Sequence, residues 1–217
     1  MSERDKLVPV TPQLMAATLV PVAADHFKQL HDKLEHFLQS TDDAHWTAVL
    51  QELFRVHFCL ASFHVCSCFE NDDERQNLYG FRMLEFLRHY PENHSEIVKN
   101  AFTDWQSVEN AVSCYIHNRL TEAEQQGIEH FRGLTGDVDR SHLSRLCEKV
   151  CVRIAGRLNI SAGDPAAMFV LMVNAGALIA AAKLFKGLKP VLTDEEMQAY
   201  TAQNSNFIRR TFQRLFQ

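Results

Sequence analysis

Residues 165–187 read PAAMFVLMVNAGALIAAAKLFKG, and from Ala166 to Ala182 the stretch carries no charge and one strongly polar side chain, Asn174. A helix that is apolar on all sides belongs in an interior. Its limits are legible. Asp164 can accept the orphan amides of the first turn, Pro165 sits where a missing N–H costs nothing, and Lys183, Lys186 and Gly187 suit a C-terminal end. Ala166, Ala177, Ala180 and Ala181 recur at helical spacing and admit neighbouring backbones, while Met168, Phe169, Leu171, Leu178 and Ile179 fill the volume around them. The expectation is a buried apolar central helix over 165–186 in an all-α domain. Seventeen uncharged residues also lie at the short edge of a membrane span. Asn174 near the middle, the alanine-rich composition and a mean hydropathy of −0.20 weigh for a protein interior instead.

The rest of the chain agrees with a soluble globule. Its 217 residues are 46 % hydrophobic and 23 % charged, enough for a real core, and the net charge of −5 offers no reason to expect a polyanion as partner. Glu3 and Asp5 stand where a secretory signal would be basic, and no long apolar run follows them, so a cytoplasmic location is expected. Six cysteines with no CxxC pair then read as reduced thiols rather than as a disulfide framework.

Helical starts and stops recur along the chain. Residues 1–10 read as a flexible N-terminal arm and 11–217 as a single all-helical domain of about eight or nine helices. Thr11-Pro12 opens a short helix that Pro21 should interrupt, with a second helix from near Val22 carrying Leu30, Leu34, Phe37 and Leu38. The segment 44–69 starts amphipathic and becomes apolar all round, with Val56, Phe58, Leu60, Phe63, Val65 and Phe69, and is the second buried helix. Asn71 with Glu74 has capping-box spacing before a stripe of Leu78, Phe81, Met83, Leu84 and Leu87. Further starts fall at Asn93, Thr103, Thr121 and Thr193. Leu143, Leu146, Cys147, Val150, Cys151, Ile154 and Leu158, at intervals of three and four, make the cleanest amphipathic stripe of all.

One cluster could carry chemistry. His57 and His64 lie two turns apart on one helix, Cys68 is one turn further, and Cys147 and Cys151 repeat the four-residue spacing later. Imidazole and thiolate are ligands for zinc, iron or copper, so a metal or haem site between two helices can be drawn from these five residues. Core packing competes with it, because a free cysteine in an apolar stripe behaves as a small hydrophobe and the spacing is that of no zinc signature. There is no glycine-rich phosphate loop, GxSxG, HExxH or Glu-x-x-His pair, so catalysis has no sequence support and no cofactor is named.

The last segment mixes Phe207, Phe212 and Phe216 with Arg209, Arg210 and Arg214, residue types enriched at interface centres. These features lead to a helical regulatory or adaptor protein that acts through a protein partner or as a homodimer. Two alternatives come from other classes. One is a bundle holding a metal, haem or apolar ligand through the buried His and Cys; the other is a DNA-binding regulator using the basic C-terminal helix. The acidic balance and the lack of a turn glycine over Thr201-Ala202-Gln203-Asn204 weigh against the nucleic-acid reading.

Overall fold

The computed structural model of the protein describes residues 7–38, 41–105, 107, 115, 122–135, 142–161 and 163–202. The chain folds as an all-α bundle, 77 % helical. In order, the described elements are strand β1 (Val8–Val10) and helices α1 (Pro12–Leu34), α2 (Asp43–Cys68), α3 (Asp73–Arg88) and α4 (Ser95–Phe102). Helices α5 (Glu122–Thr135), α6 (His142–Arg157) and α7 (Pro165–Lys186) and strand β2 (Leu188–Pro190) follow. Residues 194–202 are helical again.

Helix α2 is the hub. It packs against α1, α3, α4, α6 and α7, and from Val56 to Ser62 every one of its side chains is buried. That is the environment its apolar sequence demanded. Asp42 caps it by accepting from the His45 amide at 3.0 Å.

Helix α7 departs from the expectation of a buried central helix. Ala166, Ala167, Val170, Leu171, Asn174, Leu178, Ala181 and Phe185 face α1, α2 and α6, but Met168, Met172, Ile179 and Leu184 are 41, 64, 46 and 37 % exposed. Composition sets how apolar a helix is, while the number of neighbouring helices sets how much of it is covered. Here the described neighbours all lie on one side. Among the described residues, α7 is the one helix long and apolar enough to cross a membrane, and 33 % of its most apolar window is buried. Its ends are as expected: Asp164 accepts from the Ala166 amide at 2.8 Å, and Gly187 follows Lys186.

Several other expectations change. Val8–Val10, read as part of a loose arm, pairs in parallel with Leu188–Pro190, with Val8 opposite Leu188 and Val10 opposite Pro190. Tyr79 donates its hydroxyl to the Val10 carbonyl at 2.9 Å, which ties this strand to α3. Pro21 does not interrupt α1. The proline is on the exposed side, and the buried stripe Met15, Leu19, Ala23, His26, Leu30 and Leu34 spans it, so packing outweighs the lost amide. Helix α1 ends at Leu34, which leaves Phe37 half-exposed against Phe169, ring centres 5.1 Å apart. Asp72, not Asn71, caps α3; Asn71 takes a left-handed φ of 63°, a conformation asparagine tolerates. At 3.6 residues per turn Leu78 and Phe81 fall on the side of α3 opposite Met83, Leu84 and Leu87, so the first two point outward while the last three are buried. Gly127 on α5 approaches α6 closely, and a Cβ there would lie 3.0 Å from Cγ1 of Val152.

Candidate functional site

The five His and Cys residues singled out from the sequence fall in three places. His64, near the end of α2, donates Nε2–H to the Leu188 carbonyl at 2.9 Å and so fastens α2 to β2. A carbonyl can only accept, so this bond fixes the tautomer. Burial lowers the His64 pKa, and the Leu188 bond works against that shift. Cys68 Sγ sits 3.6 Å from the same nitrogen and is exposed. Cys147 and Cys151 are buried, their sulfurs 4.0 Å apart, with the Cys151 thiol directed at the Val170 carbonyl of α7 at 3.9 Å. Burial pushes the Cys151 thiol well up, which keeps it a neutral thiol. Among the described residues, no three His, Cys, Asp or Glu side chains converge as a metal centre requires. The partner-binding residues expected near the C-terminus, Phe207, Arg209, Arg210, Phe212, Arg214 and Phe216, lie outside the described residues.

His57 has a partner the sequence did not reveal. Nδ1 of His26, on α1, is 3.0 Å from Nε2 of His57, and both rings are buried. One ring must donate and the other accept, and burial keeps both neutral. Burial takes the His26 pKa down to about 4, with Asn174 and Asp25 opposing, and takes that of His57 well below the usual histidine value. Asn174 itself donates to the Val170 carbonyl at 2.6 Å and turns its otherwise unpaired Oδ1 toward this region. A polar seam thus runs beneath α7, from His57 through His26 and Asn174 to Cys151. Above it, Pro21 and Val22 of α1 and Ala177, Ala180, Ala181 and Leu184 of α7 line an open cleft of about 310 Å³, with Asp25 and Gln29 at its rim.

A second polar centre was also missed. Glu52 of α2 is buried, and its carboxylate meets Arg153 of α6 at 3.0 Å, Arg55 at 3.6 Å and the hydroxyl of buried Tyr115. The Arg153 guanidinium lies 4.5 Å from the Tyr115 ring centre and also pairs with Glu124 of α5 at 3.4 Å. Burial, and then the Glu52 charge, push the Tyr115 phenol well up, so it acts as a donor. Nearby, Lys149 is buried with no hydrogen-bond partner on Nζ, and burial followed by the Arg153 charge lowers its pKa. The signal in the sequence was a lone carboxylate, Glu52, in the apolar run Val49 to Phe54. Read as one position of an amphipathic helix, it gave no hint that Arg153, 101 residues later, would meet it.

A larger cleft, about 490 Å³, opens between α1, α2 and α4, with Phe27, Trp46, Leu50 and Ile97 as apolar wall and Lys28, His31, Asp32 and Asp43 at its polar edge. The His31 ring lies 4.6 Å from that of Trp46.

Comparison of the chain with protein-family models, with curated proteins and with solved structures finds no match.

The most unusual surface is the outer face of α7. Along one ridge, at spacing four, stand Met168, Met172, Gly176, Ala180 and Leu184, with Ile179 beside them. A Cβ built on Gly176 meets nothing within 4 Å, so among the described residues no neighbour uses the space this glycine leaves. The inner face of the same helix is held by the polar seam. That division gives α7 a rigid base and a bare apolar front, an arrangement suited to docking rather than to bond-making chemistry.

Proposed function

We propose that the protein is a helical regulatory or adaptor protein of the cytoplasm that works by protein–protein contact, with the outer face of α7 as its docking surface. One observation carries the reading: an uncharged helical face on which four large apolar side chains, Met168, Met172, Ile179 and Leu184, are exposed together, Met172 to 64 %. Scattered exposed hydrophobes are ordinary, but a contiguous apolar band on one helix marks an interaction site. Methionine suits such a surface, since its flexible thioether adapts to different partner shapes. Among the described residues no cleft opens on a converged set of catalytic side chains, and the buried Glu52–Arg153–Tyr115 centre supports a locking role.

The test places a photo-activated cross-linking side chain at Met172, or, as control, at exposed Arg157 on α6, in the full-length protein inside its own cell. Protein adducts at 172 well above those at 157 are the expected result. Equal yields at the two positions would remove α7 as the docking face.

A further inference from the structure

Resting on the docking role of α7, we infer that what covers this face is a second copy of the chain, with the two α7 helices antiparallel and crossing at Gly176. The ridge is self-complementary about that point. In an antiparallel pair centred on Gly176, Met168 of one copy lies over Leu184 of the other, and the protruding Met172 lies over the small, exposed Ala180. Next to the crossing, on both sides, the large Met172 then meets the small Ala180, as ridges meeting grooves require. Gly176 at the centre lets the two backbones approach, which explains a residue that weakens a helix interior and whose missing side chain would meet nothing among the described residues.

Charge agrees with the same orientation. The face is neutral from Ala166 to Ala182, with Asp164 at one end and Lys183 and Lys186 at the other. Antiparallel pairing places the Asp164 end of each copy within a turn of the lysine end of its mate, and it opposes the two helix dipoles. A parallel pair would stack lysine on lysine.

Length and symmetry fit as well. Helix α7 has 22 residues and is therefore about 33 Å long. Phe37, packed on Phe169, widens the band at one end. A two-fold pair is also the commonest closed assembly, because one patch serves both sides.

Sedimentation of the full chain at micromolar concentration should give twice the chain mass, and Gly176→Leu and Met172→Asp should each raise the dimer dissociation constant at least tenfold. Far-UV circular dichroism and the thermal midpoint identify any variant that fails to fold; Gly176→Leu enters open space and keeps the helix. Orientation is read in a Cys66→Ser, Cys68→Ser background. A Met172→Cys chain mixed with an Ala180→Cys chain should cross-link oxidatively faster than either chain alone. A full-length monomer overturns the inference, and so does a dimer indifferent to Gly176→Leu, or one in which Met172→Cys links best to itself. Flotation of the wild-type chain with anionic phospholipid vesicles, lost in Met172→Asp, would make a lipid surface the occupant and equally overturn it. A monomer that still gives foreign-protein adducts at 172 removes the second copy while leaving the docking role in place; a monomer without such adducts removes both.

Discussion

His26 and His57 show how much a single buried contact decides. Among the described residues neither Nε2 of His26 nor Nδ1 of His57 has a hydrogen-bond partner, so whichever ring donates across the shared bond, one outer nitrogen is left a buried donor and the other a buried acceptor. Nitrogen NMR should report both rings as neutral at pH 7. In the unfolded chain a histidine takes up its proton near pH 6.5, but folded His26 does so only at about 4. Between those values the unfolded state binds more protons, so stability is full above the window and falls as pH drops through it, by about 3 kcal/mol for His26 alone. Urea midpoints measured from pH 7 to 4.5 should show this slope, and His26→Gln should flatten it. An unchanged slope in that variant would mean that the carboxylates, not this pair, set the acid response. Glu52 belongs to the same scale: Glu52→Ala strips the counter-charge from Arg153 and Arg55, and it should cost about 3–5 kcal/mol in the denaturant midpoint.

Among the elements, α7 is where sequence and structure part. A helix interior fully enclosed by neighbours makes any enlargement costly, and Gly176 was a natural place to expect overpacking. The structure puts it in open space, so Gly176→Ala should leave the single chain as stable or raise its stability by up to about 1 kcal/mol. Val170→Ala, on the inner face of the same helix, should cost about 1–3 kcal/mol. Thermal midpoints of these two variants test the two-faced character of α7 directly; comparable losses for both would contradict it. The α5–α6 contact gives a complementary case. Gly127→Ala presses a methyl against Val152 and should cost about 1 kcal/mol, and Val152→Ala in the same chain should recover part of it.

At the scale of the whole molecule, the two ends of the described chain are fastened together. Val8–Val10 lies beside Leu188–Pro190, the Val8 amide bonds the Gly187 carbonyl at 2.9 Å, and the Val191 amide bonds Val10 at 3.0 Å. His64 and Tyr79 reach this small sheet from α2 and α3. Removal of residues 1–10 takes away the buried Val8 and Val10 and leaves Leu188 uncovered. The truncated chain should lose about 2–4 kcal/mol and bind more hydrophobic dye than the intact protein. A truncation with unchanged stability would return these residues to the status of a loose arm.

The helices and most of their caps were legible before any tertiary contact was known, because periodicity, Asp164-Pro165, Thr11-Pro12 and the Thr193–Glu196 pair are local signals, and local backbone physics answers to them. The sequence also determined that α2 is interior, since a helix apolar all round that starts with a capped amphipathic turn has few alternatives. It did not determine the partner of His57, 31 residues away, or that of Glu52, 101 residues away, because nothing local records which helix faces which. Nor did it determine that Pro21 would be tolerated or that α7 would be bare on one side. Hydrophobicity fixes how strongly a face prefers to be covered; only the arrangement of the neighbouring helices decides whether the chain covers it alone.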